Sequence, residues 1–180
     1  MIKPWTRVSS QLMVADSWLR LRADRCRRAD GLIIEPYYVN EAPDWVCVLP
    51  VTSTGKVVLA REYRHGIGAV VTGFPGGVVD GGDPDPEAAA NRELLEETGY
   101  TGKATVFLGA CFANWTNQTN KIHFFLARDV EKTADQTLDA QEEIEVLLHD
   151  LAEVRAPGFF RQAYHITCLH LAEPMLTDRC

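Results

Sequence analysis

The sequence predicts an α+β fold, in which a mixed central sheet is flanked by helices and preceded by a β-rich extension. Three observations favour this class. The first third of the chain reads mostly as segments of strand length, a glycine-rich segment precedes one well-capped helix, and further strands lead to a last helical stretch. This order is typical of a sheet covered by helices. The length favours one domain, residues 1–180, with residues 1–43 as the extension.

Composition excludes several classes of protein. Hydrophobic residues make up 46% of the chain and charged residues 24%, so a disordered chain is not expected. The net charge of −7 disfavours a nucleic acid polymer or an anionic membrane as a partner. We expect no signal peptide and no membrane span, because the sequence has no apolar run of the required length. Five widely spaced cysteines without a CxxC pair favour a reducing, cytoplasmic setting.

The N-terminal third is predicted to be β-structure. Residues 18–28 alternate in part, Asp30-Gly31 marks a turn, and residues 32–39 return as the second strand of a hairpin. Two further strands are predicted at 45–51 and 56–60. The glycine-rich residues 66–82 disfavour a helix and predict a loop whose backbone approaches another group closely.

The best-defined element is a helix predicted at residues 86–98. Asp85 can cap its first turn, Pro86 suits the first helical position, and Gly99 can end it in a left-handed conformation. The remaining predictions are strands at 103–111, 121–128 and 143–148, a loop at 130–141, a short helix after Asp150, and helical spacing over 159–171.

Three glutamates lie close together on the predicted helix. Glu93 is three and four residues from Glu96 and Glu97, so their carboxylates share one face. Like charges at this spacing repel by roughly 0.2–0.5 kcal/mol per pair. A bound cation would relieve the repulsion, and carboxylate oxygens suit Mg²⁺ or Mn²⁺. Ala90, Leu94, Leu95 and Thr98 lie on another side, so the helix is predicted to have an acidic face and a separate packing face. The alternative to a metal site is a solvated acidic face.

The segment from Arg92 to Tyr100, read together with Gly77, resembles the Nudix box. Its second half, Arg-Glu-Leu-Leu-Glu-Glu-Thr-Gly, matches at every defined position. Residues 62–64 and 74–77 are similar to the branch of ADP-ribose and nucleoside diphosphate sugar pyrophosphatases. The resemblance is strong over residues 74–100 and looser over most of the remaining chain. It implies a Nudix fold and a Mg²⁺- or Mn²⁺-dependent hydrolase that releases a nucleoside monophosphate and a sugar phosphate.

The resemblance also implies roles for individual residues. The expected metal ligands are the Gly76 carbonyl and the carboxylates of Glu93, Glu96 and Glu97. Arg92 would orient these glutamates through charge-assisted hydrogen bonds.

Further candidates lie outside the box. The general base of this branch lies on a distal loop, where Glu142 is the first candidate and Glu143 the second. The expected substrate contacts are Arg64, with Arg61 as a weaker candidate, and Trp115. Each has a plainer interpretation, such as a surface salt bridge of small value for Arg64. The resemblance further implies a homodimer in which residues 1–43 contribute to the interface.

The chain departs from the family pattern in two places. The spacer from Gly77 to Arg92 is one residue longer than usual, with Asp83 where a glutamate is usual. ADP-ribose pyrophosphatases usually carry a proline downstream of the box, where this chain has Asn114-Trp115. The substrate therefore stays open between ADP-ribose, other nucleoside diphosphate sugars, dinucleoside polyphosphates, nucleoside triphosphates and coenzyme A derivatives. A non-catalytic binding module is the alternative of a different class, and the three glutamates favour an enzyme over it.

Overall fold

A computed structural model describes residues 1–176 of the chain. The strands are β1 (Thr6–Ala15), β2 (Arg20–Arg27), β3 (Ile33–Asn40), β4 (Trp45–Thr52), β5 (Lys56–Arg64), β6 (Ala69–Gly73), β7 (Tyr100–Thr101), β8 (Ala104–Phe112), β9 (Lys121–Lys132) and β10 (Ile144–Asp150). The helices are α1 (Pro86–Thr98), α2 (Leu151–Val154) and α3 (Ala163–Ala172), with short 3-10 helices at His65–Ile67 and Glu173–Met175. No helix in these 176 residues is both long and apolar enough to span a bilayer.

The first compact unit contains residues 1–43 and 112–121. Its sheet has the order β1-β2-β3, and both pairs are antiparallel. The predicted hairpin is confirmed, because β2 and β3 pair from Leu21 opposite Asn40 to Arg27 opposite Ile33. Strand β1 was not predicted from the sequence, since nearly all of its residues are exposed and no burial pattern marks it.

The second compact unit contains residues 44–111 and the described part of 122–180. Its sheet has the order β10-β5-β4-β9-β7, with β6 paired to β5 and β8 paired to β9. Strands β4 and β9 are parallel, whereas β5 is antiparallel to β4, β6 and β10. The predicted α+β class with a mixed sheet is confirmed.

Helices α1 and α3 pack against opposite faces of β4. Val46 and Val48 belong to the apolar core that includes Leu94 of α1. Cys47 lies between them in sequence, so its side chain points to the other face, where Cys168 of α3 lies 3.8 Å from the Cys47 carbonyl. The sheet is therefore covered on both sides at β4.

Three predicted boundaries differ from the structure. Residues 69–73 form β6 instead of a loop, because Val70, Val71 and Thr72 favour a strand and pair with β5. Strand β9 continues to Lys132, since Val130 fills the core instead of starting a loop. Helix α3 begins at Ala163, because the Phe160 ring before it packs against Phe74, a contact that helical spacing alone does not require.

Candidate active site

Helix α1 is fixed at both ends by the predicted caps. Asp85 accepts a hydrogen bond from the Ala88 N–H at 2.8 Å, and Pro86 occupies the first helical position. Gly99 ends the helix with φ of 75°. Ala89 and Ala90 are fully buried, so small side chains let the helix approach the sheet closely. The acidic residues of α1 are thereby held at a defined position next to β4.

The segment of residues 74–77, which we call the glycine loop, runs beside β4. The Val48 N–H donates to the Pro75 carbonyl at 2.9 Å, and the Val46 N–H donates to the Gly77 carbonyl at 2.8 Å. Gly76 has φ of +154°, and a Cβ there would lie 2.2 Å from the Val46 carbonyl oxygen. A Cβ at Gly77 would lie 2.5 Å from a carboxylate oxygen of Glu93. The loop therefore needs glycine at both positions to lie between β4 and α1.

Glu97 lies on the buried side of α1, where it is 5% exposed. The Gly76 N–H donates to its Oε2 at 2.9 Å. The predicted separation of an acidic face from a packing face is therefore wrong for Glu97, because the glycine loop supplies a polar partner inside the packed region. Burial raises the pKa of Glu97 to about 8, although the hydrogen bond from Gly76 acts in the opposite direction.

Glu93, four residues before Glu97, is partly buried. Burial raises the pKa of Glu93 to about 7, although the neighbouring Arg92 lowers it. The charges of Glu96 and Glu142 raise it further. Two carboxyl groups of α1 are thus disfavoured as anions at neutral pH, and a nearby cation would stabilise their charged form.

Arg92 connects three carboxylates of this region. Its Nε and one terminal nitrogen donate to the two oxygens of Asp83 at 3.1 and 3.0 Å. The other terminal nitrogen donates to Glu93 at 3.0 Å and to Glu96 at 2.8 Å. Asp83, in the lengthened spacer, therefore holds the arginine in a bidentate pair, and the hydrogen bonds from Arg92 lower the pKa of Asp83.

The two candidate bases differ in their relation to these carboxylates. The charge of Glu142 raises the pKa of Glu93, Glu97 and Glu62, so Glu142 lies within electrostatic reach of all three. Glu142 is exposed, and its Oε2 accepts the Asp139 N–H at 3.1 Å. Glu143 is also exposed, and no hydrogen bond or ion pair joins it to α1 in residues 1–176. Of the two candidates, Glu142 is therefore the one whose charge acts on the carboxylates of α1.

The predicted substrate contacts fall in three different settings. Arg64 lies 2.5 Å from Glu62, and its side chain is about half exposed. Arg61 lies on the opposite face of β5 by strand alternation and pairs with Glu145 at 3.5 Å. Trp115 belongs to the first unit and is 86% exposed. Arg64 is thus the arginine on the same side of β5 as Glu62.

Glu62, Tyr164 and His165 were not among the predicted site residues. Burial raises the pKa of Glu62, and it raises that of Tyr164 to about 12. The charges of Glu62 and Glu97 also act on Tyr164, so the first turn of α3 lies near the carboxylates of α1. A residue two positions before Arg64 on the same strand face is a signal that could have indicated Glu62. Nothing in the spacing of residues 163–172 distinguishes a site residue from a core residue.

The donor atoms of this cluster fit a hard divalent cation. Within the described residues, the Gly76 carbonyl and one oxygen each of Glu93, Glu96 and Glu97 accept no hydrogen bond. Carboxylate and carbonyl oxygens are the ligands of Mg²⁺ and Mn²⁺. Residues 1–176 contain no ready-made cage of three such side chains. Arg92 holds one oxygen each of Glu93 and Glu96, and the Gly76 N–H holds one oxygen of Glu97.

Comparison with known families decides what this arrangement is. The NUDIX domain family matches residues 42–168, which is more than half of the chain. The chain belongs to the Nudix family. The nucleoside diphosphate sugar hydrolase N-terminal domain matches residues 5–40. The predicted Nudix resemblance is confirmed, and the protein is a Nudix hydrolase.

Individual relatives agree with the family match. An ADP-ribose pyrophosphatase of Bacillus subtilis is 33% identical over 144 residues, which cover 76% of this chain and 77% of the relative. An ADP-sugar pyrophosphatase of Mus musculus is 40% identical over 68 residues, which cover 36% of this chain and 31% of that protein. A crystal structure of an ADP compounds hydrolase is 22% identical with a TM-score of 0.85, covering 98% of this chain and 96% of that one. This last likeness confirms the Nudix fold.

Proposed function

We propose that this Nudix hydrolase cleaves the diphosphate of an ADP-ribose-like nucleoside diphosphate sugar, using Mg²⁺ or Mn²⁺. The observation that carries the proposal is the buried Glu97, held by the glycine loop among the other carboxylates of the Nudix box. The sugar-nucleotide substrate is supported by the match of residues 5–40 to the nucleoside diphosphate sugar hydrolase N-terminal domain. The names of the Bacillus subtilis and Mus musculus relatives support the same class.

Members of the Nudix family generally need a divalent metal, and this chain offers suitable ligands. We assign Glu93, Glu96, Glu97 and the Gly76 carbonyl to metal binding, on the grounds of their free oxygens and of the raised pKa values of Glu93 and Glu97. When bound, a cation would neutralise negative charge on the phosphates and would lower the pKa of a water molecule that it binds. Arg92 holds Glu93 and Glu96 in orientation, and Asp83 holds Arg92.

The remaining residues act on the substrate and on the attacking water. Glu142 takes the proton of the water that attacks phosphorus, a role supported by its electrostatic reach to Glu93 and Glu97, and Glu143 is the second candidate. Arg64 binds the diphosphate, because its guanidinium is partly exposed on the Glu62 side of β5. Trp115 is available for stacking on a base, and Arg61, paired with Glu145, contributes less. The products are a nucleoside monophosphate and a sugar phosphate.

The protein is proposed to act as a homodimer in the cytoplasm. Residues 1–43 carry exposed apolar side chains, among them Val8, Leu12, Met13 and Trp18, and such patches mark interaction surfaces. The cytoplasm is supported by the free cysteines Cys26, Cys47, Cys111 and Cys168. Sedimentation velocity tests the dimer, and a monomer at micromolar concentration would contradict it.

A substrate panel tests the activity. The panel contains ADP-ribose, a second nucleoside diphosphate sugar, a dinucleoside polyphosphate, a nucleoside triphosphate and a coenzyme A derivative, each with Mg²⁺ and then with Mn²⁺. Phosphate is measured after a phosphatase has acted on the products, with Glu97→Gln as the control for a contaminating hydrolase. We expect the highest kcat/KM with one of the nucleoside diphosphate sugars. Faster turnover of another class would overturn the substrate assignment, and no turnover of any diphosphate would overturn the proposed activity.

A further inference from the structure

We infer that His165 is a positioning residue for the metal site, because its ring nitrogen holds the first residue of the glycine loop in place. This inference rests on the proposed function, which assigns the Gly76 carbonyl to metal binding. His165 lies in the first turn of α3, far in sequence from the Nudix box, and contacts no proposed ligand directly.

The geometry around His165 is that of a buried acceptor. His165 is 8% exposed, and the Phe74 N–H donates to its Nδ1 at 3.3 Å. The imidazole ring lies against the rings of Phe74 and Phe160, with centroids 5.7 and 5.3 Å away. A Cβ at Gly73 would lie 2.4 Å from His165 Nε2, so a residue without a side chain is needed there. The backbone entering the glycine loop is thus fitted to the imidazole.

The hydrogen-bond donors of the loop explain why this contact affects the metal site. Pro75 has no N–H, so the loop from Phe74 to Gly76 offers two backbone donors. His165 accepts the first at Phe74, and Glu97 accepts the second at Gly76. The backbone from Phe74 to Gly76 is therefore fixed in orientation by a hydrogen bond at each end. The Gly76 carbonyl and the Glu97 carboxylate are aligned by the same pair of contacts.

The acceptor role requires a neutral imidazole with its proton on Nε2. Burial lowers the pKa of His165 to about 3, and the charge of Arg64 lowers it further. The Cys47 thiol lies 3.7 Å from the same Nδ1, on β4. His165 therefore stays an acceptor throughout the neutral range, and its role is to hold the backbone without transferring a proton.

The test separates positioning of the loop from ordinary packing with two variants of His165. His165→Phe keeps an aromatic ring and removes the acceptor, whereas His165→Asn places an acceptor near Nδ1 and removes the ring. Mn²⁺ binding to the substrate-free protein is measured by water proton relaxation, and thermal stability is measured alongside. We expect His165→Phe to weaken Mn²⁺ binding about tenfold, as loss of a supporting hydrogen bond at a metal site does. We expect His165→Asn to lose stability while binding Mn²⁺ within about threefold of the wild type, since the acceptor is retained.

Phe160→Leu is the matched control, because Phe160 packs on the same imidazole and makes no hydrogen bond to the loop. It should lower the melting temperature and leave Mn²⁺ affinity unchanged. If Mn²⁺ affinity follows melting temperature in all three variants, or if His165→Phe binds Mn²⁺ like the wild type, the inference is wrong. Glu97→Gln separates this from a failure of the proposed function. Equal Mn²⁺ binding by Glu97→Gln and the wild type would overturn the proposed metal site, and the inference with it.

Discussion

The two sides of α1 hold their carboxylates by different physical means. On the buried side, Glu97 is 5% exposed and receives one backbone N–H, and burial raises its pKa to about 8. On the outer side, the Glu96 side chain is 40% exposed and is paired with Arg92, which Asp83 holds. The buried side therefore contains a group that is unfavourable as an anion in the absence of a cation, whereas on the outer side Arg92 already offsets part of the negative charge.

This difference implies that the buried side contributes more to metal binding, whereas the outer side mainly orients its carboxylates. A bound cation should have its largest effect on Glu97, because it stabilises the anionic form of a carboxyl group that burial disfavours. It should have a smaller effect on Glu96, since Arg92 already offsets part of that charge and water screens it. Substitutions on the buried side should therefore affect metal binding and the rate more strongly than substitutions on the outer side.

Glu97→Gln should have the largest effect on activity. The amide keeps the shape of the side chain and an acceptor for the Gly76 N–H, but it removes the charge. We expect kcat to fall by about a hundredfold or more, because metal-bound charge contributes several kcal/mol and about 1.4 kcal/mol is a tenfold change in rate. The metal-free variant should unfold at the same or a higher temperature, since the buried carboxyl group at position 97 is replaced by an amide. Steady-state kinetics and calorimetry check the two expectations, and near-normal kcat would show that the buried side is not the metal site.

Glu142→Gln should have the next largest effect, with Glu143→Gln as its matched control. A general base contributes typically about a hundredfold to ten-thousandfold, so kcat should fall by at least about a hundredfold for Glu142→Gln. Glu143→Gln should stay within about threefold of the wild type, because Glu143 has no described contact with α1. Single-turnover rates across pH measure this difference. A larger loss for Glu143→Gln would transfer the role of base to that residue.

Much of α1 was predictable because its signals are local. Asp85, Pro86 and Gly99 are neighbours of the helix they bound, and glutamates three and four residues apart share a face whatever surrounds them. The burial of Glu97 was not predictable in this way. It depends on the glycine loop lying beside β4, so closely that a Cβ on Gly76 would lie 2.2 Å from the Val46 carbonyl oxygen. That approach is a pairing between distant segments, which helical spacing does not contain.

The same limit explains the residues that the sequence did not single out. His165 lies in a stretch with predicted helical spacing, and its partner Phe74 is far from it in sequence. Glu62 precedes Arg64 within a recognised motif, yet its effect on Glu97 appears only when β5 and α1 are brought together. Strand β1 was missed because it pairs with β2 while remaining exposed.

Arg92→Lys should test the outer side with a smaller effect. Lysine keeps the positive charge but cannot donate to Asp83, Glu93 and Glu96 through one planar group. We expect the Mg²⁺ concentration for half-maximal activity to rise about tenfold, as it does when a group that orients metal ligands is lost. Asp83→Asn should raise the same Mg²⁺ concentration by a smaller, severalfold factor, since Arg92 keeps its hydrogen bonds to Glu93 and Glu96. A loss for Arg92→Lys as large as that of Glu97→Gln would mean that the two sides of α1 are equally important.

Acid should weaken the buried side through His165, and this is the smallest effect. The pKa of His165 is lowered from 6.5 in the unfolded chain to about 3 in the fold, so the unfolded chain binds a proton first as pH falls. The stability contributed by neutral His165 is present above pH 6.5 and is lost progressively as pH falls toward 3. Between pH 7 and pH 5 this loss is about 2 kcal/mol. Glu97 and Glu93, whose pKa values are raised, act in the opposite direction, so the wild type alone does not isolate the histidine.

The difference in unfolding free energy between the wild type and His165→Phe isolates the contribution of the histidine. Phenylalanine does not titrate, so the free energy of unfolding that His165→Phe loses relative to the wild type should shrink by about 2 kcal/mol between pH 7 and pH 5. Urea unfolding at the two pH values measures this. Phe160→Leu, which removes packing from the same ring without removing a titrating group, should show a loss that does not change with pH. A pH-independent loss for His165→Phe would mean that the imidazole can be protonated inside the fold, and then the Phe74 N–H would have no acceptor in acid. In that case the glycine loop would be held by β4 and Glu97 alone, and the buried side of α1 would be less firmly fixed than the contacts of His165 indicate.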